Sequence, residues 1–348
     1  MSDQAFSLLQ QHLLQHGDKA LWIADENALQ IAQQLSWVRD GLTAITNRID
    51  VQTALETAGV DCKYNDWQGD SFEPNSLEQV FYRVSKEKPV VHHLINSAFT
   101  WLKPGGQLIL CGQKNDGTKS YIDKAGKLFG EKARPQKNGQ IYHASITKQL
   151  EANNDAHLDC SQYPELRPIA EIPPLNLWSK PGVFGWNKID RGSELLVNHL
   201  QDWLPESRNE LSMLDLGCGY GYITLMASQF NPAKLIATDN NATALLTISE
   251  NAKQNDLDIE IHSADCADTI KEKVDIVLCN PPFHQGFSID GGLTDKFLRQ
   301  TSRLLKPAGK ALFVVNQFIP LERKAAEYFN HSQCLLEQDG FKLIELSN

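Results

Sequence analysis

The 348-residue sequence predicts an α/β protein of two tandem units, each a mostly parallel twisted sheet closed by an antiparallel C-terminal hairpin. Three observations predict it. At about 100 to 200 residues per domain, a chain of this length makes two domains rather than one core. In the second half, LSMLDLG, AKLIATD, DIEIHSAD and VDIVLCN are short apolar or β-branched runs separated by helix-length segments, the pattern of parallel strands joined by crossover helices. In the first half, WLKPGGQLILCG (residues 101–112) is echoed by LLKPAGKALFVV (residues 304–315) in the second. Asn138-Gly139 stands 35 residues after Lys103, and Asp339-Gly340 stands 33 after Lys306, each a two-residue hairpin signal. The same elements in the same order, twice, point to duplication.

Composition narrows the function. Hydrophobic residues make up 41% and charged residues 22%, enough for a core in each half and far from the signature of disorder. A net charge of -10 argues against a protein that coats DNA or lies on a membrane through surplus Lys and Arg. The acidity is shared, with 17 basic and 21 acidic side chains up to residue 175 and 16 and 22 beyond it. The window from Lys103 to Lys148 departs from this, holding nine Lys or Arg against three acids. It reads either as a solvated helix and loop or as a patch that contacts a polyanion. The seven cysteines are odd in number, scattered and never spaced CxxC, so neither a disulfide framework nor a zinc cluster is indicated and no metal site is expected. The N-terminal stretch lacks a cationic start followed by an apolar segment, and no run approaches the roughly 18 apolar residues needed to cross a bilayer, so a cytoplasmic protein is expected.

Along the chain, residues 1–160 form the first unit, 161–185 a linker and 186–348 the second unit. The stretch EANNDAHLDCSQYPELRPIAEIPPLNLW (residues 151–178), polar, with four prolines and no sustained periodicity, reads as an extended connection. Beyond the turn PGVFGWNKIDRG, an apolar pattern at Leu195, Leu196, His199, Leu200 and Trp203 fits one helical face.

The strongest local signal is MLDLGCGYGY (residues 213–222), where an apolar strand meets Asp215 and glycines follow at 217, 219 and 221 before the helix ITLMASQF. Glycines let a ligand approach the backbone, and a helix N-terminus offers free N–H groups to an anion. The spacing G-x-G-x-G is neither the dinucleotide fingerprint nor a P-loop. About 20 residues on, the next strand ends in Asp239, placed to accept hydrogen bonds from ribose hydroxyls. After the third strand, Asp265 is placed to meet an adenine amino group. An Asp at a strand end also caps helices and turns, the alternative reading for both. The fourth strand runs into Asn280-Pro281-Pro282-Phe283. Two prolines fix an extended backbone, so the Asn280 amide oxygen and the Pro281 carbonyl become two acceptors for a planar amino group, with Phe283 placed to stack on its ring.

The order DLGCGYG, ATD, SAD, NPPF resembles the class I S-adenosylmethionine-dependent methyltransferases that act on exocyclic amino groups or amide nitrogens. With the upstream PGVFGWNKIDRGSELLVNHL and a degenerate N-terminal copy, the whole chain resembles the RsmC-type small-subunit (16S) ribosomal RNA guanine-N2 methyltransferases. The resemblance implies two tandem Rossmann-like methyltransferase domains and S-adenosyl-L-methionine as cofactor. Asp215, Gly217, Gly219 and Gly221 would then shape the methionine end of its pocket, Asp239 would hold the ribose, Asp265 and Cys266 would border the adenine, and Phe184 and Lys188 would close over it. Asn280, Pro281 and Phe283 would be catalytic, and Pro282 with Lys124, Lys127 and Lys132 would contact substrate. In the first half LWIADENA stands where a Gly-rich turn belongs and no NPPF follows, so that copy is expected to bind no cofactor and to serve RNA recognition or support.

The reaction implied is transfer of a methyl group to the N2 amino group of a guanine in 16S ribosomal RNA, within the assembled 30S subunit, by a monomer that engages neither membrane nor DNA. It needs an aligned nucleophile at about 3 Å and no dedicated base or metal. His284, directly after NPPF, reads as a solvent-facing loop residue or as a group near the reaction. A glutamine-amide methyltransferase acting on a translation factor, a large-subunit rRNA guanine-N2 enzyme, a DNA adenine methyltransferase and a non-catalytic RNA-binding scaffold are the competing readings.

Overall fold

The computed structural model describes residues 4–15, 17–33, 40–150, 154–282, 284–285, 288–289 and 291–348. The chain divides into two compact units, Met1–Glu165 and Leu166–Asn348.

Unit 1 comprises α1 (Gln4–Leu13), β1 (Ala20–Ile23), α2 (Leu29–Ala32), β2 (Leu42–Thr46), α3 (Ile49–Thr57), β3 (Asp61–Tyr64), β4 (Leu77–Arg83), α4 (Lys88–Trp101), β5 (Leu102–Gln113), α5 (Thr118–Phe129), β6 (Gln136–Asn138) and β7 (Ile141–Thr147). Its strands lie in the order β3-β2-β1-β4-β5-β7-β6, parallel up to β5 and antiparallel in the closing hairpin. Alternate residues of each strand point to opposite faces. Leu21, Ile23, Val80 and Tyr82 enter one core while Ala20, Trp22, Ala44 and Phe81 enter the other. Both faces of the sheet are therefore buried, which is why its strands read as unbroken apolar runs.

Unit 2 opens with a hairpin, β8 (Arg167–Ile172) and β9 (Leu175–Ser179), followed by α6 (Arg191–Trp203), β10 (Ser212–Leu216), α7 (Tyr222–Ser228), β11 (Lys234–Asp239), α8 (Ala242–Gln254), β12 (Glu260–Ser263), β13 (Val274–Cys279), β14 (His284–Gln285), β15 (Ser288–Ile289), α9 (Gly291–Leu304), β16 (Leu305–Asn316), α10 (Leu321–Ala325), β17 (His331–Gln338) and β18 (Phe341–Ser347). The main sheet repeats unit 1 strand for strand, in the order β12-β11-β10-β13-β16-β18-β17. Its two cores again take alternate residues, with Leu214, Val277 and Phe313 on one face and Met213, Ile276 and Leu312 on the other.

The repeat extends to irregularities. In each unit a 14-residue helix runs directly into the long fifth strand of the sheet, whose partner then skips register, between Leu77 and Gln79 in one and between Val274 and Ile276 in the other. The skipped residues are Lys103-Pro104-Gly105-Gly106 and Lys306-Pro307-Ala308-Gly309. A Cβ on Gly106 would lie 2.9 Å from the Lys103 carbonyl oxygen, and one on Gly309 would lie 2.9 Å from that of Asp275. Only glycine fits so tight a bulge, which explains the shared K-P-x-G.

Two expectations are revised. The first hairpin turns on Gly139-Gln140, one residue later than expected, since Asn138 already pairs with Ile141. Only Gly139 has positive φ there (59°), whereas Asp339 (52°) and Gly340 (86°) both do, as a two-residue I′ turn requires. Within the connection expected at 161–185, β8 and β9 form a hairpin of unit 2. It is pinned by the amides of Asn251 and Asn255, which exchange hydrogen bonds with the backbone of Trp178 and Asn176 at 2.8–2.9 Å. These contacts are long-range, so no local pattern announces the strands. Among the described residues no helix is long and apolar enough to cross a membrane.

Candidate active site

The carboxyl ends of β10, β11, β12 and β13 gather most of the residues singled out in the second half. Between β10 and α7, Gly217, Gly219 and Gly221 all take positive φ, at 81°, 56° and 89°. Non-glycine residues pay a steric penalty there. Gly221 is doubly constrained, because a Cβ would stand 2.6 Å from Cγ1 of Ile248 on α8. The Gly217 and Cys218 N–H groups both donate to the Thr238 carbonyl at 2.9 Å, tying the turn to the end of β11.

Asp215 lies under this turn, 1% exposed. Its Oδ2 accepts from Thr224 Oγ1 at 2.5 Å, while its Oδ1, also buried, has no hydrogen-bond partner among the described residues. Burial pushes its pKa up to about 7 against the opposing Thr224 hydrogen bonds, with the Asp239 charge adding to the rise. A buried carboxylate oxygen left without a donor fits a cationic group brought by a ligand, such as the ammonium of S-adenosylmethionine.

Asp239 ends β11. Its Oδ2 accepts from the Gly219 N–H and its Oδ1 from the Asn241 N–H, each at 2.9 Å. The carboxylate is thereby held at the carboxyl end of β11, where an acid can meet ribose hydroxyls. Asn241, which no sequence motif singles out, caps α8 through Thr243 N–H and donates through Nδ2 to the Gly182 carbonyl at 3.0 Å. The PGVF segment is thereby drawn to the glycine turn, where a Cβ on Gly219 would stand 3.8 Å from Val183 Cγ1. Phe184 is 79% exposed and Lys188 is exposed, its carbonyl accepting from Tyr220 Oη at 3.4 Å.

After β12, Asp265 is ion-paired with Lys296 of α9. Cys266 and Ala267 follow with positive φ, 54° and 58°. Arg303, again on α9 and not anticipated, holds this loop by donating to the carbonyls of Ile270 and Ala267 at 2.7 and 2.9 Å. At the end of β13, Asn280 is half-buried, Pro281 buried and Pro282 exposed. Asn280 Nδ2 donates to Asp190 Oδ2 and to Ser193 Oγ, both at 2.8 Å. Phe283 lies outside the described residues, and His284 is described only as the first residue of β14.

The three lysines of the basic window belong to unit 1. Lys127 on α5 and Lys132 beyond it are exposed. Lys124 is half-buried, its Nζ 3.2 Å from His92 Nε2, with a pKa lowered by burial and by Lys88. His92 Nδ1 faces the Asp159 carbonyl at 2.6 Å, so it carries the proton and Nε2 accepts from Lys124.

Matching the registers of the two sheets sets Trp22 where unit 2 has Asp215, Ala24 where it has Gly217, Thr46 where it has Asp239, and Arg83 where it has Asn280. Arg83 is buried, 4.0 Å from Asp25 and 3.9 Å from Asp116, and donates to the Val84 carbonyl.

A glycine turn after the first strand of the main sheet, acids after the second and third, and Asn-Pro-Pro after the fourth make this a class I S-adenosylmethionine-dependent methyltransferase. Residues 174–345 match the methyltransferase small domain family and residues 7–159 its N-terminal domain family. The chain is 30% identical over 263 residues to the ribosomal RNA small subunit methyltransferase C of Pseudomonas aeruginosa, 74% of this chain and 75% of that one. It is 26% identical over 272 residues to the Haemophilus influenzae protein of the same name, 77% and 79% of the two chains. The chain belongs to the ribosomal RNA small subunit methyltransferase C family. The 16S rRNA N2 G1207 methyltransferase of T. thermophilus, solved with AdoMet and guanosine, shares the fold at a TM-score of 0.83 and 24% identity over 99% of this chain and 92% of that one.

Proposed function

We propose that this chain methylates the exocyclic N2 amino group of a guanine in 16S ribosomal RNA, using S-adenosylmethionine, with the assembled small subunit as substrate and as a monomer in the cytoplasm. The observation that carries the reading is Asn280, whose N–H groups are both engaged by Asp190 and Ser193 so that its oxygen is left as the acceptor, at the end of the strand beside the glycine turn.

When bound, the cofactor supplies a methyl group on a sulfonium whose leaving group is a neutral thioether. Asp215 Oδ1 holds its ammonium, Asp239 its ribose, and Asp265 with Cys266 borders its adenine; Phe184 and Lys188 cover it from the PGVF segment. A guanine amino nitrogen is a poor nucleophile because its lone pair is delocalised into the ring. Asn280 Oδ1 and the Pro281 carbonyl accept its two hydrogens, which favours a pyramidal nitrogen and stabilises positive charge as it develops. Pro281 and Pro282 fix the backbone that presents these acceptors, and Phe283 stacks on the base. The proton leaves after transfer, so no side chain has to serve as a base. Lys127 and Lys132, with Lys124 beside them, contact RNA phosphates from unit 1, which binds no cofactor: Trp22 stands where the ammonium-binding acid belongs and Arg83 fills the amide position.

Asn280→Ala is expected to keep the affinity for S-adenosylmethionine in calorimetry and to lower the single-turnover methylation rate by about 100- to 1,000-fold. A near-normal rate would overturn the assignment.

A further inference from the structure

Asn280 sets a terminal amide at the end of β13, and the two sides of such an amide differ completely in chemistry. Only Oδ1 accepts hydrogen bonds; Nδ2 only donates them. The proposed reaction needs the oxygen toward the substrate, so something has to fix the flip. Asp190 and Ser193, both from the start of α6, meet the nitrogen at 2.8 Å each, which uses both of its hydrogens. Asp190 Oδ2 is at the same time the N-cap of α6, accepting the Ser193 N–H at 2.9 Å. The cap holds the carboxylate in one place while it accepts the amide. Gly192 makes room for this: a Cβ there would stand 3.1 Å from Asp190 Oδ2 and 3.0 Å from the Phe341 ring. A carboxylate offers acceptors only, so a flipped Asn280 would set its oxygen against Asp190 without a hydrogen between them.

We infer that Asp190, supported by Ser193, is a positioning residue that locks the Asn280 amide with its oxygen toward the substrate amino group. The inference rests on the methyltransferase reading and adds to it the D-x-G-S segment at residues 190–193, whose side chains serve the reaction through Asn280 rather than by touching substrate. It makes α6 a part of the active site, since a shift of the helix start shifts the acceptor.

The test separates this role from capping. Asp190→Ser keeps an N-cap hydroxyl but is too short to reach Asn280, whereas Asp190→Asn keeps an oxygen that can cap the helix and accept the amide. Single-turnover rate, KM for small subunits, S-adenosylmethionine affinity and melting temperature are measured on the full chain, with Asn280→Ala alongside. Asp190→Ser is expected to lower the rate about 10- to 100-fold, with cofactor affinity, KM and melting temperature close to wild type, and Asp190→Asn to recover most of that loss. Wild-type turnover in Asp190→Ser beside an inactive Asn280→Ala would overturn the inference and leave the reading intact. So would an equal loss in Asp190→Ser and Asp190→Asn. Wild-type turnover in Asn280→Ala would overturn the reading itself.

Discussion

At Asp215 a carboxyl group is held out of water with one oxygen on Thr224 and the other without a partner among the described residues, and its pKa rises to about 7. The unfolded chain gives it an ordinary value near 4, so between about pH 4 and pH 7 the folded state binds the extra proton. Its contribution to the stability of the cofactor-free protein therefore falls as pH rises through that window. A cofactor ammonium favours the ionised form, and binding must expel the proton wherever it is present. Affinity for S-adenosylmethionine is accordingly expected to rise between pH 5 and pH 7, approaching about tenfold per unit at the acid end, and to level off only above pH 7. Calorimetry across this range checks it; an Asp215→Asn variant should bind weakly with a flat profile, and a flat wild-type profile would contradict the role given to Oδ1.

Among the elements, the β8–β9 hairpin and the glycine turn are joined by one side chain. Asn251 of α8 is fully buried, donates to the carbonyls of Trp178 and Tyr220 at 2.9 and 2.7 Å, and accepts from the Trp178 N–H at 2.8 Å. Asn251→Ala removes these three hydrogen bonds, the one to Tyr220 buried and the two to Trp178 part-buried, and is expected to destabilise unit 2 by about 2–4 kcal/mol in urea unfolding, and to weaken cofactor binding through the displaced turn. This element also shows where sequence reading stops. The glycine turn, Asp239 and NPPF are contiguous motifs whose backbone demands are local, and they are legible in the sequence. The hairpin depends on Asn251 and Asn255, more than 70 residues away in the chain, and the loop after Asp265 on Arg303 of α9; neither partner has a local signature. Asp190 carries a partial signal, an N-cap followed by Gly and Ser, but that its carboxylate reaches Asn280 is a fact of packing.

For the whole molecule, one strand topology is built twice, with different residues at the corresponding site positions. The parallel extends to the loop after the third strand, where Trp67 and Cys266 both take positive φ at 48° and 54°. What differs is the site: Trp22 and Arg83 fill in unit 1 the positions of Asp215 and Asn280. Unit 1 instead bears the basic window on an acidic chain of net charge -10. If its exposed lysines meet phosphates, Lys127→Glu with Lys132→Glu should weaken binding to small subunits and reduce the slope of log affinity against log salt by about 0.7–0.9 for each phosphate no longer neutralised. An unchanged slope in a salt titration would show these lysines to be merely solvated.

Methylation of 16S RNA by this chain is tested by transfer of a labelled methyl group from S-adenosylmethionine to small ribosomal subunits from cells lacking this gene, followed by separation of RNA from protein and digestion to nucleosides. Label is expected in the 16S RNA as N2-methylguanosine. Label in protein, or in any other nucleoside, would contradict it.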